Sequence, residues 1–420
     1  MRKLFFLFLL AACIQEGFAQ PASPVVKETI KKNREKLYSY LVNNTINKNL
    51  SLPLSDSTED RWQDAFYALE LIGYSNDWVN GRIGYAVAGL QNRSASFQQS
   101  LLELLYTNYP GRFDIPVKTL FNKTENDKLF AMSGEYLLKS DGATTEKNAV
   151  RSAAKKRLLQ NPGKPILDQL AHAGIHYKAP SPHTLLKPDY LPGNVLMISF
   201  QRKNRDYPGL VLVRNANGSF VKDTTGNFFS VPQLARSISN LPGYITNGNT
   251  PEGILRMDGF DVSKGSMIGP TTNVQLTLPF EYNAFHFYRD STLADTIGNI
   301  TLYKNLLPKN FRDHYPMYQS FYAGMAGRSE IIAHGTTVDP AYYLKQPYYP
   351  LTPTVGCLCT KEIWNEQNGT RKESDQQLLV NAISIAGGPY GYAIVINIDD
   401  QQSPVTLKDI LPYLKLAGQK

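Results

Sequence analysis

A change of hydrophobic period near the middle of the chain limits its fold more than any other feature. Trp62, Ala65, Phe66, Leu69 and Ile72 stand at i, i+3, i+4, i+7 and i+10, the spacing that gathers apolar side chains into one stripe of an α-helix. Phe97, Leu101, Leu104 and Leu105 form a similar stripe, as do Leu129, Met132, Ser133 and Tyr136. Ser57 with Asp60, and Thr124 with Asp127, have the spacing of helix-capping boxes. Tyr109-Pro110-Gly111 and Ser140-Asp141-Gly142 punctuate the units. Residues 20–178 are therefore expected to form an all-α domain, either a generic bundle or helical hairpins of the HEAT kind.

The composition then changes to APSPHTLLKPDYLPGN, residues 179–194, whose spaced prolines read as a linker between separately folding halves. Beyond it the segments are short, β-branched and bounded by turns: VLMISFQ, LVLVRNANGSF with its Asn217-Gly218 hairpin signal, NVQLTLPFEY and YAIVINI. One amphipathic helix is expected near 373–386, before the last strand, and VTLKDILPYLK predicts a closing helix within 399–420. The expected class is α+β, a helical domain followed by a β-rich domain over 195–398.

The N-terminus bears on what a cysteine in this chain can do. Arg2 and Lys3 precede an apolar run from Leu4 to Ala12 that is too short to span a bilayer and is placed as a secretory signal would be. Gly17-Phe18-Ala19 offers small residues for cleavage before Gln20, giving a signal peptide over 1–19 and an exported, periplasmic or envelope-located chain. Leu10-Ala11-Ala12-Cys13 also fits a lipoprotein box, which would leave a lipid anchor on Cys13. The net charge of +8 suits either attraction to anionic envelope polymers or plain solubility. Nucleic acid is not an expected partner, because no arginine-rich aromatic motif is present.

Outside that leader the chain has two cysteines, Cys357 and Cys359. A disulfide framework is thus excluded, leaving a reactive thiol, a metal ligand or a buried pair. In an extended strand, positions i and i+2 have Cα atoms roughly 6.6 Å apart, near the upper limit for a disulfide, so both thiols are expected to be free. Gly356 beside Cys357 would let backbone amides approach a developing oxyanion, and His334 is the histidine nearest in sequence that can serve as base. Gly335 leaves a carbonyl unobstructed to orient the imidazole. The competing chemistry is a zinc site from Cys357, Cys359 and His334, with His314 or His286 as a further donor, but no second Cys or His motif completes it. No metal and no cofactor are expected.

His334-Gly335-Thr336, followed by Thr354-Val355-Gly356-Cys357, resembles the L,D-transpeptidases, bacterial enzymes that cross-link or anchor to peptidoglycan through a cysteine thioester. The family carries His-Gly-Thr and then Ser/Thr-His-Gly-Cys. Upstream, YPMYQSFYAGMAGRSEIIAHG is similar to the family's approach to its histidine, and Thr250-Pro251-Glu252-Gly253 to its Thr-Pro-x-Gly turn. The resemblance covers roughly 195–398 and implies a groove lined by Gly253, His334 and Cys357. It implies Cys357 as nucleophile, His334 as base, Gly335 as its orienting carbonyl, and the amides around Val355, Gly356 and Cys357 as the oxyanion hole. Tyr322, Thr336 and Thr354 would face the substrate, a peptidoglycan stem peptide, and Cys359 would take a substrate-facing or a core position.

Three departures stand out. Val355 replaces the family's second histidine, Cys359 its frequent arginine, and Lys361 its frequent asparagine. The interval from His334 to Cys357 is also long, and the tyrosines and prolines of DPAYYLKQPYYPLTP suggest a stiff aromatic flap. Two other functions stay open: an L,D-carboxypeptidase in which water is the acceptor, and an inactive envelope protein that binds partners through its helical half.

Overall fold

The computed structural model describes residues 24–293 and 299–419; the leader expectations, Cys13 and the cleavage before Gln20 among them, lie outside the described residues. It is a mixed α+β structure with the helices first and the sheet afterwards. The predicted stripes become the buried faces of helices Glu59–Ile72, Ala95–Asn108 and Asp127–Lys139. Two cap assignments need correction. The box forms between Ser55 and Thr58, on a short 3-10 turn before the first of these helices, not between Ser57 and Asp60, because the Thr58 hydroxyl is drawn back to the Pro53 carbonyl at 2.6 Å. Asn126, rather than Thr124, caps Asp127–Lys139, accepting the amides of Lys128 and Leu129 at 2.9 and 3.1 Å. A cap must sit immediately before the first helical residue, and here that is Asn126.

The strands are β1 (Leu196–Arg202), β2 (Gly209–Arg214), β3 (Ser230–Leu234), β4 (Gly253–Asp261), β5 (Asn273–Thr277), β6 (Ile331–His334), β7 (Leu358–Thr360), β8 (Glu362–Trp364), β9 (Arg371–Ser374) and β10 (Tyr392–Asp399). Eight close into a barrel in the order β1-β10-β4-β5-β6-β7-β3-β2, and β8 pairs with β9 alone. Most neighbours are antiparallel; β1 with β10 and β6 with β7 run parallel. Every barrel strand contributes to one apolar cluster, including Met197, Val211, Val231, Leu255, Val274, Ala333, Leu358 and Val395, joined by Leu379 and Ile383 of the helix Asp375–Ala386. A cluster fed by all eight strands is the barrel interior. The opposite faces of β1, β2, β4 and β10 pack under short helices and the closing helix Leu407–Leu416.

Alternation along the strands decides which side residues point outward. Ala333 and Leu358 are paired across β6–β7 and face in, so His334 and its register partner Cys359 face out.

The halves share a core. Leu241, Tyr244 and Ile245, from the β3–β4 connection, are buried among the side chains of the N-terminal helices. Tyr244 donates to Glu135 at 2.6 Å, and Thr107 donates to Ile238 at 3.2 Å. The proline-spaced stretch is itself packed, with Leu185 and Leu186 buried against the barrel's outer face.

Candidate active site

His334 ends β6 and Cys357 immediately precedes β7. Both line a cleft of about 350 Å³ with Thr336, Thr354 and Val355, walled by the Gly265–Ile268 loop and by Tyr67 and Leu71 of the helix Glu59–Ile72. The helical half thus supplies one side of the site. Among the described residues, the stripe on this helix had signalled only packing, and nothing in the sequence marked Tyr67 and Leu71 for the cleft.

The imidazole Nδ1 is hydrogen-bonded to the Gly335 carbonyl, so with Nδ1 as donor the Nε2 lone pair is free to accept a proton. Burial depresses the His334 pKa to about 4 against a smaller opposing effect of that hydrogen bond, which keeps the ring neutral at pH 7. Gly335 has a second reason to lack a side chain, since a Cβ there would collide with the Glu362 carboxylate. Glu362 is buried and braces this turn, accepting from the Thr336 amide at 3.1 Å, Thr271 at 2.5 Å and Ser374 at 2.6 Å.

Cys357 is half-buried, and its thiol lies 3.8 Å from the Glu330 carbonyl. No hydrogen bond joins it to His334. Burial pushes the thiol pKa up, opposed by the Ile332 amide and by the Arg328 guanidinium. At neutral pH the two groups are therefore a thiol and a neutral imidazole, not an ion pair.

The backbone around the cysteine is held tightly. Gly356 has φ +118°, and a Cβ there would strike the Arg328 guanidinium and the Gly248 carbonyl. Arg328 is buried and spends its donors on loop carbonyls, Asn249 at 2.7 Å, Gly248 at 2.6 Å and Gly243. Burial lowers its pKa to about 10. Thr250 of the Thr-Pro-x-Gly turn donates to the Gly356 carbonyl at 3.0 Å, so this turn supports the site without entering it. Arg328 was not singled out from sequence; its role depends on a loop far from it in the chain.

Several expected roles change. The Gly356 amide donates to the Thr354 hydroxyl at 2.9 Å, and that hydroxyl donates to the Cys357 carbonyl at 2.9 Å. Gly356 therefore has no amide to offer an oxyanion, whereas among the described residues the amides of Val355 and Cys357 have no hydrogen-bond partner. Thr354 clamps the turn as well as lining the cleft. Thr336 lines the cleft with its hydroxyl engaged by Thr352 at 2.8 Å. Cys359 does not face substrate: it is 0% exposed, with Thr352 3.6 Å from its sulfur, because Thr352 covers the outward face of β7 at that position. Burial drives its pKa to about 12.

Tyr322 lies on the helix Gln319–Met325, stacked on Tyr315 with ring centroids 6.0 Å apart, and does not line the cleft. That helix packs on the outer face of β4, two strands along the barrel from β6, which is why proximity in sequence to His334 does not bring it to the site. Gly253 also points elsewhere, its missing side chain making room for Tyr303 and Ser320. The tyrosine-rich flap is anchored rather than draped over the cleft: Tyr343 donates to the Leu71 carbonyl at 2.7 Å, and Arg236 stacks on Tyr348 at 5.0 Å.

Both thiols are free. Among the described residues, no group of three His, Cys, Asp or Glu side chains is arranged to hold a metal, and no helix is long and apolar enough to cross a membrane. Compared with known proteins, the chain matches no family model, no curated protein and no solved structure.

Proposed function

We propose that this protein is an exported, cysteine-dependent L,D-transpeptidase acting on peptidoglycan stem peptides. The observation that carries the reading is the shared cleft, in which a neutral, carbonyl-oriented His334 and Cys357 stand on the same outward side of β6–β7. His334 takes the Cys357 proton as sulfur attacks the scissile carbonyl carbon. The C–N bond breaks, and His334 returns the proton to the departing amine. An acceptor amine then attacks the thioester, forming a new C–N bond and regenerating the thiol. The free amides of Val355 and Cys357 are the donors for the oxyanion, each worth about 3 kcal/mol if typical. Water in place of the amine gives a carboxypeptidase from the same acyl-enzyme.

The hydrogen bond from Cys357 to Glu330 rather than His334, together with apolar Val355 at the cleft, favours a second reading, an envelope-binding protein without catalysis. Catalytic hydrogen bonds often tighten only when substrate is bound. Incubation of the purified protein with muropeptides, read by mass spectrometry, separates the readings. New cross-links or tripeptide products support the enzyme, and unchanged muropeptides with a bound partner support the scaffold.

A further inference from the structure

A second, polar cleft of about 320 Å³ shares no lining residue with the Cys357 cleft. Lys139 enters it from the end of the helix Asp127–Lys139, Lys203 and Arg205 from the β1–β2 connection, and Asn397 from β10. Both halves of the chain therefore build it.

Three of these side chains are cationic. Arg205 is 6% exposed, and its Nη1 is buried without a hydrogen-bond partner among the described residues. Burial lowers its pKa to about 10, opposed by Glu252, so the guanidinium stays charged at neutral pH. A buried charged donor left unmet is costly unless an acceptor reaches it. Lys139 donates to the Tyr106 carbonyl at 2.9 Å and, with three N–H bonds, keeps two for a ligand. Its pKa, lowered to about 8 chiefly by burial, still leaves it mostly ammonium at pH 7. Lys203 is exposed and stands 3.3 Å from His176 Nδ1.

The carboxylates around the cleft do not cancel this charge. Asp206 is paired with Arg236 at 2.6 Å and Asp399 with Arg202 at 2.6 Å. Glu252 is buried against Asn397, accepting its backbone amide at 3.0 Å and its side-chain amide at 2.5 Å, and burial raises the Glu252 pKa to about 7. Near neutral pH this carboxyl carries only about half a charge against three cations. Because Glu252 holds the Asn397 nitrogen, Asn397 Oδ1 faces away from that carboxylate, and it too is buried without a partner. The cleft thus presents positive charge together with one unmet acceptor. A bridging water would meet Arg205 and Asn397 but leave the charge unbalanced. Sulfate or a bare carboxylate would balance the charge but bring no donor for Asn397.

We propose that this cleft binds a phosphate group that brings a hydroxyl with it, either free hydrogen phosphate or a hydroxyl-bearing phosphate monoester, with Arg205, Lys139 and Lys203 on the phosphate oxygens and Asn397 Oδ1 accepting from the O–H. The planar guanidinium fork matches two phosphate oxygens, and the lysines act as point charges. The site stands apart from the Cys357 chemistry and does not depend on it.

The test is calorimetric titration of the full chain at pH 7 and constant ionic strength, with inorganic phosphate, glycerol 3-phosphate and sulfate as probes. Saturable one-to-one binding is expected for phosphate or glycerol 3-phosphate, and the tighter of the two names the source of the group. Sulfate, which leaves the buried Asn397 acceptor unmet, is expected to bind about tenfold more weakly. Arg205→Gln should weaken phosphate about tenfold or more through the lost charge-assisted hydrogen bonds. The double variant Lys139→Ala/Lys203→Ala, which leaves the buried Arg205 in place, should do the same and keeps the test decisive if Arg205→Gln melts early. Absence of saturable binding by both phosphate compounds overturns the site, as does an affinity untouched by the lysine pair. Sulfate bound as tightly as phosphate overturns the choice of ligand.

Discussion

His334 and Cys359 are direct register partners across the parallel β6–β7 pair, yet it is Cys357, one pleat repeat earlier, that shares the open cleft with His334. The residue opposite the histidine is sealed by Thr352, and the residue displaced from it is accessible. Reactivity at the pair is therefore decided by cover, not by distance along the ladder alone. With strands about 4.8 Å apart and about 3.3 Å of rise per residue, the displaced cysteine is still only ~8 Å from the histidine between Cα atoms, within reach of an imidazole and a thiol meeting at one carbonyl.

Cys357→Ser should abolish acylation by a carbapenem, while Cys359→Ser should retain most of it. Cys359→Ser buries a hydroxyl in place of a thiol and is expected to cost roughly 1–2 kcal/mol of stability. Intact-mass spectrometry after carbapenem treatment, with a thermal melt on each variant, reads both effects. Acylation surviving in Cys357→Ser but not in Cys359→Ser would move the nucleophile to the other cysteine.

Thr354→Val removes the hydroxyl that holds the Gly356 amide and the Cys357 carbonyl. The turn then loses the geometry that aims the neighbouring free amides, and the acylation rate should fall about 10- to 100-fold, in proportion to one compromised oxyanion donor. Thr354→Ser keeps the hydroxyl and should restore the rate to within a few-fold. Equal rates for valine and serine variants would mean the clamp has no part in acylation.

Gly356→Ala introduces a Cβ at φ +118° against the Arg328 guanidinium and the Gly248 carbonyl. The expected cost is at least about 1–3 kcal/mol from the backbone conformation alone, with loss of acylation as Arg328 is displaced. A melting temperature equal to wild type would contradict this placement of the turn.

Acid should destabilise the fold through His334. Its folded pKa of about 4 lies below the ordinary 6.5, so between those values the unfolded chain binds a proton that the folded chain does not. Stability is then undiminished above pH 6.5 and falls as pH drops toward 4, by ~3 kcal/mol for this group. Buried His314, also depressed to about 4, adds a loss in the same window. His334→Gln should flatten the fall, measured by urea unfolding at pH 7, 5.5 and 4.5. For the reaction, neutral His334 acting as general base on a thiol with a raised pKa predicts carbapenem acylation that is level from pH 5 to 8 and falls toward pH 4; a rate that climbs steadily from pH 6 to 9 would mean that free thiolate attacks without the base.

The shared core predicts that residues 195–420 alone do not form the stable domain. Without the helices, Leu241, Tyr244 and Ile245 are exposed, each worth roughly 1.5–3 kcal/mol when fully buried, and the cleft loses its Tyr67 and Leu71 wall. The full chain should unfold in one thermal transition. A soluble, cooperatively melting fragment would show that the halves are thermodynamically independent.

Local pattern carried much of this protein. The stripe from Trp62 to Ile72, the alternation in VLMISFQ and YAIVINI, and the order of His334, Gly356 and Cys357 are short-range features, and a period or a φ requirement is legible wherever it is satisfied by neighbours in the chain. Both caps shifted by two residues because side chains compete for the same few amides at a helix start. Tertiary packing decided the rest. Cys359 is sealed by Thr352, Gly356 loses its amide to Thr354, Arg328 reaches across to loop carbonyls at 243–249, and Tyr67 with Leu71 walls a cleft hundreds of residues away in the chain. Barrel closure and the insertion of the β3–β4 connection into the helical core bring these groups together, and no sequence period encodes which distant surface will cover a given side chain.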